Sequence, residues 1–336
     1  KRYYYLTMEK EELVNSGGGW APGKLEYKPI FVWPPKPIAL LKWLFHFPDG
    51  FIFPWAAIHI GITLISYFYF LPSFNKFINF NLDWISIIFI RNFIILFVYT
   101  GLWHMHLHIN RSQEDKFRYN LKPLGVGKNW LFNSQTKENM FWSLCSALPI
   151  WTAYECIMLW CYANDYMLFP IKEWLSNPIY FLFLFIAIPI IQHIHFYFIH
   201  RLIHWKPLYK WVHYLHHKNV TVGPWSGLSM HPVEHLLYIS TILVHFFIPS
   251  HPIHFIYQGI HTIVGAQKGH SGYERLVVNK KTGASIPSAG YFHYLHHKYF
   301  ECNYGELTSP LDKWFGSFHD GTKKTHNKIF KKKVIE

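Results

Sequence analysis

Six apolar stretches along the chain predict a helical membrane protein. Four of them come close to the roughly twenty residues that an α-helix needs to cross ~30 Å of hydrocarbon. These four run approximately over residues 51–71, 84–103, 140–162 and 179–199. Two shorter stretches, near 233–248 and 253–266, are separated by Pro249 and Pro252, and they predict a short re-entrant helical pair.

Pairing the six stretches in order as three hairpins places almost all basic side chains on one side of the membrane. Of the 32 Lys and Arg residues, only Lys76 and Lys172 fall in the links within hairpins, and Arg91 falls inside the second stretch. The other 29 lie on the opposite side, which the positive-inside rule assigns to the cytosol or its equivalent. We expect Arg91 to face protein or water, because a charge in hydrocarbon is costly. The three links are residues 72–83, 163–178 and 249–252.

Composition narrows the class of protein further. Charged residues make up 15% of the chain, whereas a soluble domain carries about a quarter, so an ordinary soluble enzyme is excluded. The net charge of +13 fits a cytosolic membrane face, and without a basic stripe or binding motif we predict no nucleic-acid partner. The four Cys include no CxxC pair, which excludes a disulfide scaffold and a thiolate zinc site.

Histidine is the unusual residue, with 24 copies against 19 acidic residues, and its copies form motifs. His200 and His204 are spaced i, i+4 at the end of the fourth stretch. The hexapeptide His-Tyr-Leu-His-His-Lys then occurs twice, at 213–218 and 293–298. Residues at i, i+3 and i+4 share one helix face, so each motif presents two or three imidazoles to a common point. Eight imidazoles of this kind can surround two metal ions, and imidazole suits Fe, Zn, Cu and Ni alike.

Simpler interpretations do not account for this pattern. A single His at a helix end is usually a hydrogen-bonded packing residue, but three spaced motifs on one predicted side of a membrane need another explanation. A pH-sensing cluster is conceivable, yet it does not require a duplicated spacing. Five further candidates for the metal or its surroundings lie between the motifs: His231, His235 and His270, and the two carboxylates Glu234 and Glu274.

These motifs resemble those of the fatty acid hydroxylase superfamily, in particular its sterol desaturase and sterol methyl oxidase branch. The resemblance covers about 142–320 and includes His231-Pro-Val-Glu, His270-Ser-Gly-Tyr and the closing segment Asn303-Tyr-Gly with Leu311-Asp-Lys-Trp-Phe-Gly. It implies a membrane-embedded non-haem centre of two iron ions, with O2 as co-substrate. The implied ligands are His200, His204, His213, His216, His217, His270, His293, His296 and His297. His231 matches a family position, whereas His235 departs from the apolar residue that many relatives carry there.

The resemblance also implies partners and a compartment. Electrons in the family usually come from cytochrome b5 and its reductase, and the chain lacks the His-Pro-Gly-Gly haem loop of a fused b5 domain, so the donor is expected to be a separate protein. The endoplasmic reticulum is the family's usual membrane, with a mitochondrial or other organellar membrane as the alternative.

Breaking an unactivated C–H bond needs an oxidant that no side chain supplies, so the protein must recruit metal and O2. Zn²⁺ cannot fill this role because it has no redox partner state. Our hypothesis is O2-dependent hydroxylation or desaturation of a membrane lipid, with a sterol favoured. Two alternatives stay open. One is an accessory subunit of a membrane complex that retains the metal site only to stabilise its fold, and the other is a metal transporter.

The expected fold class is all-α integral membrane, with about four transmembrane helices, the re-entrant pair and a His-rich cap on the cytosolic side. We divide the chain into an N-terminal extramembrane segment, a first transmembrane hairpin with a polar connector, a catalytic domain and a basic tail. Their predicted bounds are 1–50, 51–139, 140–320 and 321–336.

Overall fold

Four helices that are long and apolar enough to cross a membrane form the body of the protein. A computed structural model describes Leu13 and residues 19–330, so the last six residues of the predicted basic tail lie outside the described part. The candidate spans are α2 Ile52–Phe70, α3 Leu82–Ile109, α4 Gln135–Ala163 and α5 Pro178–Ile203, preceded by α1 Pro37–Phe45. The predicted fold class, all-α with four candidate spans and a His-rich cap, is confirmed; the predicted domain bounds stay predictions.

The remaining elements are short and belong mainly to the cap. The helices are α6 Lys206–Leu208, α7 Tyr214–His217, α8 Pro232–Ile239, α9 Pro252–Gly269, α10 Tyr291–Tyr299, α11 Leu311–Trp314 and α12 Lys323–Phe330. The two strands β1 Arg275–Val277 and β2 Ser285–Pro287 pair antiparallel, with Leu276 opposite Ile286. A π-helical turn, Tyr209–His213, joins α6 to α7, so this whole segment is helical.

Local sequence explains where the long helices begin. The Asn81 side chain accepts a hydrogen bond from the backbone of Asp83 at the start of α3. Asn177 caps α5 in the same way, and Pro178 occupies its first position, where the missing N–H removes no intrahelical bond. Pro232 and Pro252 open α8 and α9 by the same rule.

The predicted hairpin pairing agrees with the contacts at the two ends of the bundle. At one end the three links touch: Asn164 Nδ2 donates to the Ile78 carbonyl at 3.1 Å, and the Ile171 amide donates to the Ser250 carbonyl at 2.9 Å. At the other end the polar connector meets the segment after α9, where Tyr119 N donates to Gly272 O at 3.0 Å. The His motifs and the basic segments therefore share one end.

Both shorter apolar stretches contain helices, α8 and α9, and the second is longer and more central than its apolar run suggests; the re-entrant arrangement stays a prediction. Helix α9 packs against α2, α3, α4 and α5. Every residue from Pro252 to Ile260 in it is buried. A helix of 18 residues spans about 27 Å, so α9 runs through most of the depth of the bundle.

Arg91 faces protein, as expected for a charge in an apolar helix. Its side chain is 4% exposed, and it forms an ion pair with Glu155 of α4, whose side chain is 1% exposed. Asn92 Nδ2 donates to the second Glu155 oxygen at 3.1 Å. The carboxylate thus has two partners across the α3–α4 interface.

Candidate metal centre

Five imidazoles meet at the cap end of α5. One nitrogen from each ring lies within 4.8 Å of the corresponding nitrogens of the other four. Close approaches include 3.1 Å between the Nε2 atoms of His200 and His213 and 2.9 Å between those of His217 and His296. The group consists of His200, His204, His213, His217 and His296.

Four further imidazoles form a second group beside the first. Their nitrogens also lie within 4.8 Å of one another, and His270 Nε2 is 3.0 Å from His297 Nε2 and 3.1 Å from His293 Nε2. All four side chains are buried. The members are His216, His270, His293 and His297. The structure therefore brings together all nine histidines that the resemblance implies as ligands.

Each repeated hexapeptide contributes to both groups. In the first copy His213 and His217 enter the first group, while His216 enters the second. The second copy divides the opposite way: His296 enters the first group, while His293 and His297 enter the second. The cause is helix geometry: positions i and i+4 are about 40° apart around the axis, whereas i+3 and i+4 differ by about 100°. The duplicated motif thus ties the two groups into one unit.

Backbone carbonyls fix the orientation of several rings. The Nδ1 atoms of His200, His296 and His270 lie 2.7, 2.6 and 2.8 Å from the carbonyl oxygens of residues 304, 302 and 266, respectively. A carbonyl only accepts, so each Nδ1 carries the hydrogen and, in a neutral ring, Nε2 keeps its lone pair. In the first group two such lone pairs, on His200 and His296, point into the same small space. A bound cation would relieve their repulsion, so the donor set fits a metal ion.

The nitrogen spacing supports the same fit. With a metal–nitrogen bond of about 2.1 Å, neighbouring ligands are about 3.0 Å apart in an octahedral arrangement and about 3.4 Å apart in a tetrahedral one. The closest Nε2 separations, 2.9 to 3.1 Å, match the octahedral spacing.

Burial keeps these imidazoles neutral, which is the form that binds metals. Desolvation, followed by the nearby His200, lowers the pKa of His204 to about 2. Desolvation likewise lowers the pKa of His270 to about 4. The same cause, reinforced by neighbouring imidazoles, places the pKa of His213, His216, His217, His293, His296 and His297 well below the ordinary value.

Of the two carboxylates singled out by sequence, one contacts the centre. Glu234 Oε1 lies 2.8 Å from His213 Nδ1, and both side chains are buried. Burial raises the pKa of Glu234, and a cation in the first group would favour its ionised form. Glu274 instead accepts hydrogen bonds from the Tyr119 hydroxyl and the Tyr291 amide, at the start of α10. It makes no hydrogen bond to any of the nine histidines.

His231 and His235 lie outside both groups, and their role as ligands or as supporting residues stays a prediction. His231 is the N-cap of α8, where its Nδ1 accepts from Val233 N at 3.2 Å. His235 is buried with both nitrogens engaged, by Ser146 Oγ at 2.9 Å and the Leu228 carbonyl at 3.2 Å.

A cavity of about 550 Å³ reaches both groups. Its wall includes His200 and His213 from the first group and His216, His270 and His293 from the second. Phe196, Met230 and Tyr238 form apolar parts of the wall, and Phe196 stacks on His200 with ring centroids 4.7 Å apart. Sequence reasoning missed the polar residues Lys268 and Glu306 on this wall, since neither lies in a recognisable motif.

Comparison with known proteins gives a family match over the region that carries the histidines. Residues 185–317 match the protein family described as fatty acid hydroxylase. The Delta(7)-sterol 5(6)-desaturase of Gibberella zeae is 34% identical over 128 residues, which is 36% of this chain and 37% of that protein. The enzyme of the same name from Saccharomyces cerevisiae is 29% identical over 36% of this chain and 32% of its own length.

A plant protein gives a similar result. The Delta(7)-sterol-C5(6)-desaturase of Nicotiana tabacum is 28% identical over 37% of this chain and 45% of its own length. The matched region thus spans less than half of each of these relatives. No solved structure matches the chain significantly. The matched interval contains all nine clustered histidines, so the similarity to the fatty acid hydroxylase family and to these sterol desaturases lies in the histidine region.

Proposed function

We propose that the protein is a lipid oxidoreductase that uses two non-haem iron ions and O2 to desaturate or hydroxylate a membrane lipid, with a sterol as the favoured substrate. The single observation that supports this most strongly is the cavity, because its wall carries histidines of both groups beside apolar side chains. A metal site that served only to stabilise the fold would need no such cavity. The named activity of the relatives supports the choice of sterol.

The nine clustered histidines would hold the two ions, five around one and four around the other. Iron bound there would supply the O2 activation and one-electron chemistry that imidazoles lack. The protein's own contribution is orientation and exclusion of water. The carbonyls of residues 302 and 304 fix the rings of His296 and His200, and Glu234 fixes His213.

The surroundings of the centre support a lipid substrate that arrives from the membrane. Span α5 ends directly in the first motif, so the centre lies at the cap end of an apolar helix. The electron donor would be a separate protein of the cytochrome b5 type, and the endoplasmic reticulum would be the membrane. A reactive carbon in the cavity would lie against Phe196 and Tyr238 and reach the imidazoles without crossing bulk water.

The test is reconstitution. The purified protein is loaded with iron, placed in liposomes that contain a Delta(7)-sterol, and supplied with reduced cytochrome b5 with or without O2. Mass spectrometry would show an O2-dependent product that has lost two hydrogens or gained one oxygen. Full iron loading without any sterol, sphingoid or acyl-lipid product would instead support the accessory-subunit alternative.

A further inference from the structure

Two partly buried ionisable groups, Lys268 and Glu306, line the cavity and make no contact with the histidine centre that would give them a role there. Lys268 Nζ, near the end of α9, donates to the Ser288 carbonyl at 2.8 Å. Glu306 also lines the cavity, and its carboxyl group has no hydrogen-bond or ion-pair partner among the described residues. Lys268 and Glu306 line the same cavity and lie close enough to interact electrostatically, but they form no direct ion pair in the described part of the chain.

A bare strip of helix backbone lies beside these groups. His261, Gly265 and Gly269 follow one another at i, i+4 and i+8 on α9, so they share a face, and all three line the cavity. A methyl group added at Gly265 or Gly269 would meet nothing within 4 Å. The first half of α9 is fully buried, whereas this face is partly exposed to the cavity. The strip therefore offers a flat, unobstructed surface for a rigid ligand.

No charged ligand satisfies both ionisable groups. An ammonium attracted by Glu306 would be repelled by Lys268, and an anion attracted by Lys268 would be repelled by the ionised form of Glu306. An alcohol can donate to the carboxyl group and accept from the ammonium at the same time. Burial raises the pKa of Glu306 to about 7, so both of its protonation states occur near neutral pH, and an alcohol can bond to either.

We infer that the cavity binds a neutral lipid alcohol, with its hydroxyl between Glu306 and Lys268 and a rigid ring body along the His261–Gly265–Gly269 strip. This inference rests on the proposed function and adds to it the residues that choose the substrate. Lys268 and the centre's His270 are two positions apart on the chain. The hydroxyl would accordingly be held near the centre, and the oxidised carbon would be only a few bonds from it.

The test measures binding without turnover, in detergent, with metal loaded and O2 excluded. The probes are a Delta(7)-sterol, its analogue with hydrogen in place of the hydroxyl, and its sulfate ester. We expect the wild-type protein to bind the alcohol about tenfold more tightly than the deoxy analogue and to bind the sulfate least. In Glu306→Leu and Lys268→Met this preference for the alcohol should fall to about twofold or less, while deoxy-analogue affinity and metal content stay unchanged.

Further variants separate the possible failures. Glu306→Gln keeps donor and acceptor atoms and should retain most of the preference, which a merely structural role would not require. Gly265→Leu should weaken the alcohol and the deoxy analogue equally, because it fills the strip. Glu173→Gln, on a link at the far end, is the matched control.

The experiment distinguishes failure of this inference from failure of the proposed function. If the wild-type protein binds and oxidises the sterol but shows no preference for the alcohol, or if both Glu306→Leu and Lys268→Met leave that preference intact, the inference is wrong and the proposed function stands. If the wild-type protein neither binds nor oxidises any sterol, the proposed function fails first. If Glu306→Leu does not fold, the preference of the wild-type protein for the alcohol and the preference of Glu306→Gln still test the inference.

Discussion

His213 and Glu234 form a buried pair in which Nδ1 and Oε1 are 2.8 Å apart, and this pair links the repeated histidine motif to α8. The carboxylate orients the ring so that Nε2 points to His200, 3.1 Å away. In the described part of the chain it is the only carboxylate that contacts one of the nine histidines. Neutral imidazoles would leave any bound divalent cations with their full positive charge, so this single carboxylate should influence metal affinity strongly.

We expect Glu234→Ala to weaken metal binding in the first group by about 10- to 100-fold. The change leaves the His213 N–H without its acceptor and removes the nearby negative charge. Glu234→Gln should have a smaller effect, because an amide oxygen still accepts from Nδ1. Competition with a chelator, followed by elemental analysis of the retained metal, measures the difference. Equal retention by Glu234→Ala and the wild-type protein would contradict the orienting role.

Replacement of His216 tests the division into two groups. His216→Ala should lower the metal content from two ions to about one per chain, because the second group then keeps only three imidazoles. His231→Ala is the matched control, since it removes an imidazole outside both groups and costs only a helix cap. Elemental analysis of both purified variants gives the answer. If the control lost as much metal as His216→Ala, metal content would not distinguish ligands from other histidines, and the assignment of His216 would lose its support.

Sequence could predict which histidines meet but not how they divide. The spacing of the two hexapeptides places their imidazoles on one helix face, and the nine residues do converge. The exchange of His216 and His296 between groups depends on how α7 and α10 pack against each other, which no local pattern contains. Nor does the spacing reveal that His231 caps a helix through Nδ1 or that hydrogen bonds engage both nitrogens of His235, and both rings lie outside the two groups.

The backbone acceptors lay outside the reach of sequence reasoning altogether. The segment at residues 302–304 was noted only as part of the resemblance, yet its carbonyls orient His200 and His296. Carbonyl groups carry no residue-type signal, so only their position in the fold reveals such a role. Hydropathy, by contrast, predicted all four long spans, because crossing hydrocarbon imposes a minimum length and apolarity that can be read directly from the chain.

The metal-free protein should lose stability as the pH falls below about 6.5. Unfolded histidines take up protons around that pH, whereas burial lowers the pKa of His270 to about 4 and that of His204 to about 2. The unfolded state therefore binds more protons below pH 6.5, and the free energy of unfolding falls by up to about 1.4 kcal/mol per pH unit for each such histidine. Thermal unfolding in detergent between pH 8 and pH 5 measures this. A melting temperature that rises on acidification would contradict the assignment of neutral, buried rings.

The ion pair between Arg91 and Glu155 gives a prediction that is independent of the metal. Both side chains are buried within candidate spans, so Glu155→Ala would leave the Arg91 charge without its carboxylate partner, and we expect a loss of about 3–5 kcal/mol in stability. The double variant Arg91→Leu with Glu155→Leu should recover most of that loss, because it removes both desolvated charges together. The exposed pair Lys172–Asp165 provides the control, since Lys172→Ala should change stability by less than about 1 kcal/mol. Denaturation in detergent of the wild-type protein and the three variants measures these differences.

If Glu155→Ala cost no more stability than Lys172→Ala, the charge of Arg91 would not be compensated at the α3–α4 interface. Arg91 would then have to reach water or headgroups in the membrane.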